Sequence, residues 1–232
     1  MNSEIGAYVN DTLSELEEFV VAGVSNSSAL RAGLCLPLAC LETYITEIGT
    51  DMMTNLVLNP GTRDGALKGY RNLGQPLHFR KQKENQAPTF YGLLCDFRQR
   101  NQGGSSGRFY EEVSQRYSKI EIRGLIRADF GAPTFNRIGI IDQVLIECRI
   151  SEDPQSIWKQ VSQHYDNSFA RFQDCLDLSV RRRNQIMHNL DIRDYGVGFY
   201  PISAEDVQSV INLVREMVSV IDKAFLAATE RF

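Results

Sequence analysis

Residues 204–229 read AEDVQSVINLVREMVSVIDKAFLAAT. Val207, Val210, Ile211, Val214, Met217, Val218, Ile221 and Phe225 recur there at spacings of three and four. That is the period of an amphipathic helix with a broad apolar stripe. Ser203 just before it and Asp206 in its first turn have capping-box spacing, a hydroxyl at the cap and an acid three residues on. A stripe this wide must be buried against other elements.

Reading outward, the same period marks the partners. Residues about 4–23 form a helix whose apolar positions are Ile5, Tyr8, Val9, Leu13, Leu16, Phe19 and Val20. Residues about 28–56 form a more apolar one along Leu30, Leu34, Leu38, Leu41, Ile45 and Ile48, and Pro37 should kink or restart it. Asn59-Pro60-Gly61 ends this hairpin. From residue 136 a helix runs to about Arg149, Ser151 and Pro154 open the next, and a long helix spans about 167–189. Between them the pattern is faint. A helix is expected around 88–100 and another from Tyr110, residues 120–126 suit a helix or a short strand, and Gly103–Gly107 suits a mobile loop. No βαβ alternation or glycine-rich phosphate loop occurs. The expected fold is all-α. It is one domain over 1–232, a bundle of four to five principal helices with a mostly helical insertion at 59–135.

Composition narrows the setting. The 232 residues can bury a sizeable core unaided. No apolar run is long enough for a membrane span, and the first residues lack the basic-then-apolar pattern of a secretory signal. The five cysteines are odd in number and widely spaced, and His78, His164 and His188 are scattered. Close metal-ligand pairs are missing, so no metal site and no cofactor are expected, and reduced thiols in a cytoplasmic protein are. Charge is uneven. Residues 1–58 hold one basic residue against eight acids, residues 59–127 hold 13 against 6, and residues 128–232 hold 11 against 15. A nucleic acid would therefore meet a local patch, not the whole surface.

The informative segment is Ser179-Val180-Arg181-Arg182-Arg183-Asn184-Gln185-Ile186-Met187-His188-Asn189. At 100° per residue, Leu176, Val180, Arg183 and Met187 share a face. Arg183 in that row must reach past apolar neighbours or meet an acid. Asp174, Asp177, Arg181, Asn184 and His188 form a polar stripe, with Asn184 and His188 one turn apart. Glu42 is a lone acid in LCLPLACLETYITEI and needs a partner; Arg183 is the expected one. Arg183 and His188 lie about 140° apart on the wheel, whereas Arg181 is only about 20° from His188. The wheel favours Arg181 as a phosphate ligand.

Arg183-Asn184-Gln185-Ile186-Met187-His188 resembles the R-N-x-x-x-H motif of HEPN domains, on the penultimate long helix where that family carries it. Arg182 before it and the long apolar helix after it resemble the branch of predicted RNases. The resemblance covers about 1–58 and 136–230. It implies an all-α domain that dimerises across the 167–189 helix, so that two motifs build one cleft. It also implies metal-independent endoribonuclease activity of toxin or defence type. In that reading His188 moves protons, Arg183 holds the phosphate, and Asn184 binds a phosphate oxygen or fixes the imidazole. Glu42, Arg182 and Arg181 support them, and Tyr195 and Tyr200 are candidates to touch RNA. The family also contains non-catalytic members, so the alternative is a helical interaction domain that partners a nucleotidyltransferase or an antitoxin. The motif favours Arg183 over Arg181.

Overall fold

The structure is a computed structural model of the chain. It describes residues 3–22, 26–77, 79, 88–101, 105–131, 137–189 and 201–231, with residues 188 and 189 as backbone only. The described residues form ten α-helices and no strand. These are α1 (Glu4–Ala22), α2 (Ser27–Leu58), α3 (Arg63–Gly74), α4 (Phe90–Arg100), α5 (Ser106–Arg116), α6 (Lys119–Phe130), α7 (Ile138–Glu147), α8 (Pro154–Ser162), α9 (Phe169–Asn189) and α10 (Ala204–Thr229). No described helix is long and apolar enough to cross a membrane.

The helices sort into two compact units. The first holds residues 1–44, 136–138 and 155–226, and the second holds 45–135, 139–154 and 227–232. The expected insertion, 59–135, falls inside the second unit.

In the first unit the apolar stripes meet. Val9, Leu13, Leu16 and Val20 of α1, Leu34, Leu38 and Leu41 of α2, and Val207, Ile211, Val214, Val218 and Ile221 of α10 are all buried. Trp158 of α8 is fully buried and stacks on Phe172 of α9, with ring centroids 5.8 Å apart. The capping box of α10 is formed. The Ser203 amide donates to Asp206 Oδ2 at 2.8 Å, and the Asp206 amide donates to Ser203 Oγ at 3.1 Å. Two expected α1 core positions are not core. Tyr8 and Phe19 are 68% and 53% exposed. They sit about 90–120° off the centre of the buried stripe, too far round to reach the core. Pro37 does not restart α2, which is helical from Ser27 to Leu58. The proline removes one amide donor, but the turns on either side stay buried and hold the helix together.

The second unit answers the faint stretch of sequence. Residues 120–126 are helix. A capping box at Ser118 and Glu121 starts α6. The expected loop at 103–107 is helical from Ser106, because Ser105 caps α5 by accepting from the Arg108 amide. The α3 helix was hidden by its glycines. Gly69 is there because Glu147 of α7 comes close: a Cβ would lie 2.8 Å from its carboxyl and 3.1 Å from its carbonyl oxygen. The core is aromatic, with Tyr70, Phe90, Phe97, Phe109 and Phe130 all buried.

Asp129 lies inside this aromatic core, 2% exposed. Its Oδ2 accepts from the Tyr70 hydroxyl at 2.5 Å and the Tyr91 amide at 2.8 Å. Burial pushes its carboxyl up to about 6 from 3.8, although those donors and Thr89 pull the other way. Between these two values the native chain holds a proton that the unfolded chain has lost. Stability should therefore fall as pH rises from about 4 to about 6, by about 3 kcal/mol in all. Asp129→Asn keeps an acceptor for both donors and should flatten this slope. Urea denaturation across the pH range reads it directly. An unchanged slope in the variant would show that Asp129 is not its source.

Candidate functional site on α9

The burial of α9 decides what its motif can do. Phe172, Leu176 and Val180 are buried at spacings of four, so this row faces the core of the first unit. Arg183 continues the row. Its side chain is 15% exposed and donates through Nη2 to Glu42 Oε1 on α2. Glu42 is itself 25% exposed. The pairing expected from two misplaced charges is thus formed. Burial raises the Glu42 carboxyl above its ordinary range, and the charge and hydrogen bond of Arg183 only partly offset this. A carboxyl in that position binds a guanidinium firmly but holds its own charge at a cost.

Arginine has five N–H donors in a flat fork. With one nitrogen on Glu42, the fork is fixed in direction and the remaining donors can meet an anion. Such a fixed donor loses little freedom when it binds phosphate. Arg182 turns the other way, is half-buried, and donates to the Pro201 carbonyl at 3.2 Å. It thereby ties α9 to the residues that precede α10. Arg181 is exposed and Asn184 is half-buried. His188 is in the last turn of α9, and its side chain lies outside the described residues, as do Tyr195, Tyr200 and His78. His164 is exposed, as expected of a surface residue, and lies 3.1 Å from Glu216.

Met187 departs from expectation. The wheel puts it in the core row, yet it is 60% exposed. The buried row of α9 ends at Val180 and the Arg183 pair, so Met187 lies beyond the packed part of that face as far as the described residues go. Leu178 is 64% exposed on the opposite flank. It lines a cavity of about 420 Å³ with Leu34 and Val210, and Arg182 and Asp206 are among its polar lining residues. Sequence reasoning did not find this cavity, because it depends on how α2, α9 and α10 pack.

Among the described residues no three His, Cys, Asp or Glu side chains gather as a metal site would require. The five cysteines are free thiols. The chain matches no protein-family model, no curated protein and no solved structure.

Proposed function

We propose that the chain is a metal-independent endoribonuclease of HEPN type, serving as a toxin or defence enzyme. The observation that carries this reading is the Arg183–Glu42 pair, which aims a guanidinium from the helix that also bears Asn184 and His188. RNA brings its own nucleophile. The 2′-hydroxyl attacks the adjacent phosphorus as a base takes its proton, the bond to the 5′-oxygen breaks, and an acid protonates that oxygen. The products are a 2′,3′-cyclic phosphate and a 5′-hydroxyl. Imidazole titrates near ~6.5, so His188 can serve on either side of the transfer. Arg183 neutralises the non-bridging oxygens as charge builds, and Asn184 holds one of them or the imidazole. Glu42 positions Arg183.

The active form in this reading is a homodimer across α9. The exposed Met187 supports it, as a large apolar side chain left in water one residue before His188; Leu178 lies on the opposite flank of the helix. A partner's α9 would also bring a second His188 to Arg183, which bridges the ~140° that separates them within one helix. The same exposed side chains favour a second reading, a non-catalytic domain whose α9 docks an antitoxin or a nucleotidyltransferase.

Labelled RNA incubated with the protein in EDTA separates the two. The nuclease reading expects cleavage of RNA, cyclic phosphate ends, and no cleavage of a DNA of the same sequence, which lacks the nucleophile. Intact RNA across several structured substrates would overturn it in favour of the docking domain.

A further inference from the structure

The second unit holds a small cavity of about 90 Å³ between α3, α4 and the start of α5. Its floor is apolar, from Leu67, Leu94, Phe97 and Phe109, all buried. Its polar lining is mostly cationic. Lys68 and Arg71 of α3 and Arg98 of α4 surround it, with Asp64 the one acid in the lining. The hydroxyl-bearing Ser105 and Ser106 complete it. Lys68 and Arg98 are exposed and Arg71 is half-buried. Among the described residues no ion pair joins any of these three cations to an acid. By contrast, Arg123 and Arg127 in the same unit are spent on Glu47 and Asp51.

Three like charges around one concavity repel one another, and the field they focus there attracts an anion. Ser105 and Ser106 add neutral donors beside those charges. The space admits one phosphate group, with whatever is attached to it left outside, and is too small for a nucleobase. It also lies in the one part of the chain with an excess of basic residues, 13 against 6 acids over 59–127.

We propose that this cavity is a phosphate-binding site, and that in the presence of RNA it holds one backbone phosphate. Its use on RNA rests on the ribonuclease reading; phosphate binding as such does not. Lys68, Arg71 and Arg98 are the binding residues. None of them is asked to take part in cleavage.

The test uses the full chain and two probes. Inorganic pyrophosphate is titrated by calorimetry, and a fluorescent 2′-O-methyl RNA, which cannot be cleaved, is titrated by anisotropy over a range of salt. Lys68→Gln with Arg98→Gln removes two exposed charges and leaves the apolar floor alone. Arg108→Gln with Lys119→Gln removes two exposed charges from outside the cavity. The cavity variant should weaken pyrophosphate about tenfold or more, and the control should change it by less than about twofold. For RNA, the slope of log affinity against log salt should fall by about 0.7, the value for one single-strand phosphate no longer neutralised. Equal pyrophosphate affinity in the cavity variant, or an equal loss in the control, would overturn the site. Loss of pyrophosphate with an unchanged RNA slope would assign the site to a free phosphorylated compound and overturn its use on RNA. Failure of the wild-type chain to cleave RNA would sink the ribonuclease reading and leave the pyrophosphate result standing.

Discussion

In the proposed ribonuclease, replacing His188 by alanine is expected to lower RNA cleavage about 10²–10⁴-fold, the span that a positioned proton-transfer group contributes. The loss should fall on kcat, because imidazole does its work on the way to the transition state and adds little to ground-state binding. Arg183→Ala should cost a comparable factor for another reason. It removes the cation on the phosphate and also strands Glu42, whose carboxyl is already raised by burial. Glu42→Gln separates these effects. The glutamine still accepts a hydrogen bond from Arg183 but no longer offers a charge, so the guanidinium stays near its place and less tightly held. A loss of about tenfold, smaller than that of Arg183→Ala, is expected, with thermal stability close to that of the wild type. Arg181→Ala decides between the two arginines. Arg181 is exposed and, among the described residues, has no anchoring carboxylate, so its removal should act through RNA affinity and salt dependence and leave kcat nearly intact. A larger fall in kcat for Arg181→Ala than for Arg183→Ala would transfer the phosphate role to Arg181. Full activity in His188→Ala would remove the histidine from the mechanism altogether.

The contrast between Arg183 and Met187 shows what the sequence could and could not convey. Both lie on the same face of α9 as Leu176 and Val180, so the wheel treats them alike. Arg183 was legible because a charge in an apolar row demands an explanation, and Glu42 was the other charge in need of one. Met187 misleads because periodicity gives the direction of a side chain but not where the packed part of a helix stops. Tyr8 and Phe19 fail in a related way, as large apolar residues at the edge of a real stripe. The helices of the first unit were readable because long stripes and caps repeat one message. In the second unit the helices are short, α3 is rich in glycine, and much of the core is aromatic residues brought together from several separate helices. Local pattern carries little there, and contacts distant in sequence decide. The cavity beside Lys68, Arg71 and Arg98 draws on three helices, so no single stretch of sequence announces it.

A second buried acid, Asp222, stands out on the wheel as Glu42 does. It lies about 20° from Ile211 and about 40° from Val218, at the edge of the apolar stripe of α10. A carboxylate there must be surrounded by donors. It is: Asp222 is 2% exposed and accepts from the Ser3 amide at 2.7 Å, the Ser3 hydroxyl, and the Tyr44 hydroxyl at 3.0 Å. The Tyr44 phenol is pushed up by its own burial and then by Asp222, so it stays a donor. This one carboxylate joins the start of α1 and the middle of α2 to α10. Asp222→Ala should therefore cost about 3–5 kcal/mol, because three buried donors lose their acceptor together. Asp222→Asn should cost less, since its oxygen still accepts from the Ser3 amide and the Ser3 and Tyr44 hydroxyls can turn to accept from its NH2. Tyr44→Phe removes one bond and leaves the acid two donors, so about 1–2 kcal/mol is expected. Gly6 gives an independent check. Alanine in a helix is ordinarily better than glycine by about 1 kcal/mol. Here its Cβ would lie 2.7 Å from all three atoms of the Asp222 carboxyl group, which its donors hold in place. Gly6→Ala should then destabilise the chain against the helix-propensity trend. Urea denaturation of the four variants tests the set. A Gly6→Ala protein as stable as the wild type would mean that the carboxylate can move, and the large cost assigned to Asp222→Ala would have to be reduced with it.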